Sequence, residues 1–357
     1  MERINVTKTF LPPIEEYEEY LKQIWASGQL TNQGPLLMKF EAQVSSYLDV
    51  ENFHFVANGT LAIQLAFKAL DIEQGEIITT PFSYVASSSA ILWEGFKPVY
   101  VDIDANTLCI DPTKIEAAIT KDTKAILAVH VFGNVCDIDA VEAIAKKYNL
   151  KVVYDAAHAF GVKYKGKSVL SYGDISTCSF HSTKIFHTIE GGAIIANDPE
   201  VDKKLELLKR FGHQGDDHLM LGINAKASEF QAAMGLCNLK YVDKIIAGRR
   251  SLTKLYDKLL GTSVKRLTQN KDSNNNYSYY PIIVDTEKEL NDIISALEAE
   301  NIYPRRYFYP SLNKLPYLTD VQSCPISESI SGQIVCLPLY LGLDEKVVEQ
   351  ICKIITK

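Results

Sequence analysis

Between residues 53 and 200 the chain alternates short β-branched or aromatic runs with segments of helical period, and few architectures accept that rhythm. Strand, helix and strand in repeated succession build a mostly parallel sheet covered by helices. Strands are predicted at 53–57, 76–79, 98–102, 125–131, 151–154, 176–180 and 193–196, and helices at 61–70, 86–93, 138–148 and 201–210. One connection breaks the pattern. The last two strands are separated only by the segment around Lys184, too short for a helical crossover, so an antiparallel member is expected there.

Helices are predicted next at 229–240 and 242–260, the second long enough to bridge to another domain. The polar run 269–276, rich in Asn, Asp and Ser, reads as a loop. Beyond it a strand at 279–284, a helix at 287–300, a strand near 333–336 and a helix at 345–354 make a small α/β unit. The expected organisation is therefore α/β, with a large seven-stranded, mostly parallel sheet domain over 1–245 and a smaller C-terminal α/β domain over 246–357.

The net charge of −7 leaves no global basic field for a nucleic acid or an anionic membrane, so any anion must be held by a local site. The seven cysteines are odd in number, scattered and never spaced C-x-x-C, which disfavours disulfides and a metal site and fits a reducing compartment. No stretch approaches the roughly 18 apolar residues of a membrane helix. The N-terminal segment has no apolar core of a signal peptide, and a cytoplasmic location is expected.

Three short segments carry chemistry. In Val153-Tyr154-Asp155-Ala156-Ala157-His158 an apolar strand runs into a carboxylate at its C-terminal end, where open α/β sheets place ligands. Taken alone, Asp155 reads equally as a helix cap and His158 as a packed or surface histidine. In Cys178-Ser179-Phe180-His181-Ser182-Thr183-Lys184 a strand delivers a lysine to a loop of small and hydroxyl residues, and Gly191-Gly192 then lets the backbone pass close to something bulky. A single lysine is ordinarily a solvated charge. Adjacent strand ends, however, bring Lys184 and Asp155 to one crevice, and pyridoxal 5'-phosphate chemistry needs that pair: a lysine for the imine, and a carboxylate that keeps the pyridine nitrogen protonated. In the third segment Gly59 permits a tight turn, and the free amides of the helix start, with the Thr60 hydroxyl, suit a phosphate.

Taken in order, N-G-T at 58–60, P-x-S-Y-V-A at 81–86, D-A-A-H-A-F-G at 155–161, S-F-H-S-T-K at 179–184 with E-G-G-A at 190–193, and G-x-N-x-K-x-S-E-F-Q-A-A at 222–233 resemble the DegT/DnrJ-type sugar aminotransferases. These are fold-type-I pyridoxal-phosphate enzymes, and the resemblance runs from about residue 11 to residue 343. It implies Lys184 as the Schiff-base lysine and Asp155 as the partner of the pyridine nitrogen. His158 matches the residue placed against the cofactor ring and its hydroxyl, Gly59, Thr60 and Ser179 the phosphate contacts, and Tyr84 the aromatic stacked on the ring. Asn224 matches a residue that reaches the phosphate from a neighbouring subunit, which implies a homodimer with shared active sites. Arg306, Tyr307 and Tyr309, in R-R-Y-F-Y-P, resemble the family's sugar-nucleotide segment, and the Arg305-Arg306 pair is the candidate for the phosphates.

The implied reaction moves an amino group from L-glutamate to the cofactor and then to a keto sugar nucleotide. F-H-S-T-K-I-F-H-T-I-E-G-G-A-I, L-T-N-Q-G-P and H-A-F-G are similar to the 4-amino branch. That implies conversion of dTDP-4-keto-6-deoxy-D-glucose to dTDP-4-amino-4,6-dideoxy-D-glucose, for O-antigen lipopolysaccharide or another surface glycan. His187 is read as a solvated loop residue, although with Thr31, Asn32 and Tyr309 it stands among the loop positions able to set which sugar carbon is presented. Three readings stay open beside this one: a 3-aminotransferase acting on a dTDP-3-keto-6-deoxyhexose, a pyridoxal-phosphate-dependent sugar dehydratase, and a regulatory protein that binds the cofactor without turnover. Relatives that dehydrate replace the lysine with histidine, and here it is lysine.

Overall fold

The computed structural model describes residues 3–320 and 322–356. Its centre is a seven-stranded sheet in the order Phe53–Val56, Gly192–Ala196, Ile175–Ser179, Lys151–Asp155, Thr123–Val129, Glu76–Thr79, Lys97–Tyr100. All neighbours are parallel except Gly192–Ala196, which runs antiparallel to both of its partners, as the short connection around Lys184 requires.

Interior strands such as Thr123–Val129 and Lys151–Asp155 carry apolar runs at their centres because both faces are covered, whereas Ile175–Ser179, equally interior, is built mainly of small and hydroxyl residues. Alternate residues serve opposite cores. Ile126, Ala128, Val152, Tyr154, Ala193 and Ile195 enter one apolar cluster, while Ala125, Leu127, Val153, Ile194 and Ala196 enter the other. Three of the helices that cover these faces start on side-chain caps: Asn58 accepts from Leu61 N at 2.9 Å, Asp137 from Ala140 N at 3.1 Å, and Ser228 forms a reciprocal capping box with Gln231.

Both sheet edges are closed against further pairing. On one side Val56 bridges to Lys226, and Ala57 N donates to Ala225 O at 2.8 Å. On the other the Gln322 side chain imitates a strand, its Oε1 accepting from Tyr100 N at 2.7 Å and its Nε2 donating to Pro98 O at 3.0 Å.

The helix Val242–Leu260 joins the two parts of the molecule: Val242 packs in the core of the large sheet, whereas Leu252, Tyr256 and Leu260 pack in a third cluster built on the antiparallel pair Tyr280–Ile283 and Ile334–Leu337. The expected boundary at 245/246 thus falls inside a continuous helix. Its N-terminal side also needs amending, because Ile4–Asn5 pairs in parallel with Ile302–Tyr303 and Ile4 is buried in the third cluster. Residues 4–5 thus pair with the C-terminal part, a long-range pairing that no local pattern announces. Helices Ile14–Ser27, Pro35–Leu48, Pro112–Ala118 and Pro325–Gln333 are additional to those expected from the sequence. In the last three a proline occupies the first turn, where its missing N–H costs nothing.

The helix Pro35–Leu48 has no capping side chain of its own. Glu229, 1% exposed, supplies one from a distance, accepting from Leu36 N at 2.9 Å and Leu37 N at 2.8 Å. Gly34 makes room for this carboxylate, since a β-carbon there would meet the Glu229 Cδ at 2.5 Å. Glu229→Ala strands two buried donors, each costing about 1–3 kcal/mol, and is expected to destabilise the protein by about 2–4 kcal/mol. Urea titration followed by circular dichroism checks this; an unchanged midpoint would mean that water reaches the helix end.

Candidate active site

The strands Lys151–Asp155 and Ile175–Ser179 are parallel neighbours, with Asp155 opposite Thr177, so the segments that follow them open onto one edge of the sheet. A cavity of about 360 Å3 lies there. Its wall includes Gly59, Thr60, Tyr84, Asp155, His158, Ser179 and Lys184, which the structure brings together from four separate stretches of chain.

One end of the cavity is the start of the helix Gly59–Ala69. With Asn58 Oδ1 occupied by Leu61 N, the preceding amides of the first turn remain free of helical partners. The backbone is tightly confined: a β-carbon on Gly59 would lie 3.0 Å from Ser179 Cβ, and one on Gly192 would lie 2.5 Å from the Asn58 carbonyl carbon and oxygen. The bulky object that the glycine pair accommodates is thus the chain's own Asn58–Gly59 peptide, with the Phe55 ring 2.8 Å from the corresponding position on Gly191.

Asp155 is buried and held in place. Its Oδ2 accepts from Ser87 Oγ at 2.7 Å, Ser87 Oγ lies 2.8 Å from Ser83 Oγ, and Oδ1 accepts from Ala157 N at 3.0 Å. His158 is buried beside it, with Nδ1 accepting from Phe132 N at 3.2 Å. That bond leaves the ring proton on Nε2. Burial, with the Lys184 charge adding to it, holds the imidazole well below its usual pKa, so it is neutral. The rings of Phe308 (5.8 Å) and Tyr279 (4.9 Å) fix its plane. Its carbonyl is gripped by Asn276 Nδ2 at 2.8 Å and Ser278 Oγ at 2.6 Å. The polar run 269–276 is therefore more than a solvated loop, for Asn276 is 1% exposed and supports the site.

Lys184 sits on a tight turn, its N–H donating to His181 O at 2.9 Å, and its side chain lines the cavity. Desolvation lowers its pKa from 10.5 to about 8, and the nearby Asp155 charge opposes part of that fall.

The C-terminal part supplies the remaining wall: Tyr279, Arg305, Tyr307 and Phe308. Arg306 does not reach the cavity. Its guanidinium pairs with Glu287 at 2.7 Å, donates to Ser331 O at 3.3 Å and lies 3.5 Å from the centroid of the Tyr309 ring, which is exposed and also outside the wall. His187 is 2% exposed rather than solvated: Nε2 lies 2.7 Å from Phe10 O, and Asn238 Nδ2 donates to its carbonyl at 2.9 Å. Thr31, Asn32 and Asn224 are exposed and do not line this chain's own cavity. Residues not singled out in the sequence are Ser87, His181, Tyr279 and Phe308. His181 and Phe308 lie inside the quoted S-F-H-S-T-K and R-R-Y-F-Y-P segments and Ser87 directly follows P-x-S-Y-V-A, whereas Tyr279 had no motif to mark it.

Because the neutral amine is the nucleophile, labelling of Lys184 in cofactor-free protein should be half-maximal near pH 8 instead of the usual 10.5. Asp155→Asn removes the charge that favours the ammonium, so the midpoint should move lower still. Competitive amine labelling read by mass spectrometry measures both, and a midpoint near 10.5 would contradict the burial.

Residues 13–356 match the DegT/DnrJ/EryC1/StrS aminotransferase family. The chain is 42% identical to a dTDP-4-amino-4,6-dideoxy-D-glucose transaminase of Shigella dysenteriae, covering 98% of this chain and 97% of that protein. It is 39% identical to one of Escherichia coli, covering 99% and 98%. Among solved structures, DesI in the presence of its TDP-sugar product superimposes with a TM-score of 0.94 at 28% identity, covering 100% of this chain and 94% of that one. The strand-end geometry that joins Lys184 to Asp155 and the similarity along the whole chain lead to one conclusion: this protein belongs to the DegT/DnrJ/EryC1/StrS aminotransferase family.

Proposed function

We propose that this aminotransferase moves the amino group of L-glutamate to carbon 4 of dTDP-4-keto-6-deoxy-D-glucose, releasing 2-oxoglutarate and dTDP-4-amino-4,6-dideoxy-D-glucose. The reading rests chiefly on Lys184, Asp155 and the Asn58–Thr60 turn lining one cavity, in a chain 42% identical to a transaminase of that name. The walls fit pyridoxal 5'-phosphate, the family's cofactor: free amides and the Thr60 hydroxyl for its phosphate, a fixed carboxylate for its ring nitrogen, and a deprotonatable lysine for its aldehyde. When bound, that group supplies an electron sink.

The protein's own residues do the rest. Near neutral pH a lysine of pKa about 8 interconverts readily between ammonium and amine, so Nζ serves as base and then as acid. Asp155, oriented by Ser87 and Ala157, holds negative charge where a protonated ring nitrogen requires it. His158 donates from Nε2, its tautomer fixed by the bond from Phe132 N to Nδ1. Tyr84, exposed at the cavity mouth, is placed to cover one face of a ring. The sugar carbon aminated is set by which carbonyl the bound nucleotide brings to Lys184. Purified enzyme offered the 4-keto and the 3-keto dTDP-6-deoxy sugars separately, with L-glutamate, should show kcat/KM favouring the 4-keto sugar by more than about tenfold, roughly 1.4 kcal/mol. Preference for the 3-keto sugar overturns the carbon-4 assignment and leaves the aminotransferase standing.

The working unit in this reading is a homodimer with shared sites. Asn224 is exposed, and its neighbours Leu219, Leu221 and Ile223 are exposed apolar residues, Leu221 at 92%, an arrangement that a partner subunit would cover. Thr31 and Asn32 would then face the partner's cavity, not their own. Seven buried cysteines, none paired, fit a reducing cytoplasm, and a dTDP-activated amino sugar suits glycosyl transfer into a surface glycan such as O-antigen lipopolysaccharide. Lys184→Ala and Asn224→Ala subunits, each inactive alone, should regain activity when mixed under conditions of subunit exchange, because one site in each heterodimer is intact. Exchange without recovery would place Asn224 in its own subunit's site or outside the site.

A further inference from the structure

On the reading proposed above, one cavity receives two anions in turn, a dicarboxylic amino acid and the diphosphate of a sugar nucleotide. The part of the wall that this chain itself supplies holds few cations for them. Lys184 is committed to the chemistry, and His158 is neutral. His181 faces Glu190, with Nε2 3.5 Å from Oε1. Arg305 remains: it is exposed, lines the cavity, and has no carboxylate within ion-pairing distance among the described residues. Its nearest side-chain contact is the Tyr307 ring, whose centroid lies 5.2 Å from the guanidinium carbon. Its backbone, by contrast, is clamped by two hydrogen bonds to Cys336, with Arg305 N donating at 3.1 Å and Arg305 O accepting at 2.8 Å. A fixed base thus carries a guanidinium with its donors unspent, while the adjacent Arg306 is saturated by Glu287, Ser331 and Tyr309.

We infer that Arg305 is a single oxyanion site used alternately by both substrates, holding a carboxylate of the amino donor in one half of the cycle and a phosphate of the sugar nucleotide in the other. The planar guanidinium suits both, because carboxylate and phosphate each accept its paired N–H donors. Sharing makes the two ligands mutually exclusive, which keeps the donor out while the sugar nucleotide is bound.

The test uses cofactor-loaded enzyme and two unreactive probes, succinate for the donor and dTDP for the nucleotide, titrated by calorimetry singly and together. Wild type should bind both, and each should raise the apparent Kd of the other. Arg305→Ala should weaken both by about 10- to 100-fold, the scale of one charge-assisted contact, and Arg305→Lys should recover part of it. Arg306→Ala should change neither. In the glutamate half-reaction, followed through the bound cofactor's visible absorbance, Arg305→Ala should raise the half-saturating concentration and leave the maximal rate near wild type. Weakening of one probe alone, simultaneous binding of both, or failure of either to bind wild type overturns the shared site. Neither probe contains the sugar, so an error in the sugar or its aminated carbon does not touch this result.

Discussion

Gly192 lies against the Asn58–Gly59 peptide so closely that a methyl group in place of its hydrogen would stand 2.5 Å from the Asn58 carbonyl. The contact exists because Gly192–Ala196 runs antiparallel between Ile175–Ser179 and Phe53–Val56, placing Gly192 opposite both Ser179 and Val56. One register therefore brings the phosphate-type turn after Val56 to the strand end that leads to Lys184. The Lys151–Asp155 strand on the far side of Ile175–Ser179 then adds the carboxylate. Sliding the antiparallel strand by one residue would turn every side chain to the opposite face, and a slip that brings Ala193 to the place of Gly192 would put a β-carbon into the Asn58 peptide. The apolar split of Ala193 and Ile195 from Ile194 and Ala196 resists that slip with buried area on both faces.

A chain of net charge −7 that accepts anionic ligands must do so by local means. Uncompensated backbone amides at a helix start cost no side-chain charge, and their field is strongest within the first turn. Lys184 contributes differently. Burial makes the amine accessible near neutrality, while Asp155 keeps the depression moderate. The same carboxylate thus has a second effect, holding the lysine in a range where both protonation states are populated.

The strand rhythm was legible because parallel strands buried on both faces leave continuous apolar runs, and the single antiparallel member was legible from one short connection. Lys184 and Asp155 emerged from their positions at adjacent strand ends. What local pattern could not decide was the choice between Arg305 and Arg306. Extended backbone at Arg305, bridged to Cys336, sends successive side chains to opposite sides, and only the partner strand fixes which side is the cavity. His187 failed for a related reason: its buried state depends on Phe10 and Asn238, which are remote in sequence. Asn276 sat in a run whose composition reads as loop, yet its amide is spent on His158 O and Phe160 O. Partners that lie a hundred residues away leave no trace in periodicity.

These remote partners bear on how the cavity opens. The guanidinium of Arg249, buried on the helix that joins the two parts, donates to Ser278 O at 2.9 Å and Tyr277 O at 3.3 Å. The same stretch grips His158 O through Asn276 and Ser278. Pulling the C-terminal layer from the sheet would break the bonds from Asn276 and Ser278 to His158 O, at a net cost of about 0.5–1.5 kcal/mol each once water takes their place. It would also unstack Phe308 and Tyr279 from His158. Separation of the layers is thus a costly way to admit substrate. The exposed residues of the rim, Tyr84, Glu190 and Arg305, carry no such penalty. The bonds to His158 O and the rings on either side of its imidazole thus fix the floor of the cavity, whereas the exposed side chains of its wall lie at the mouth.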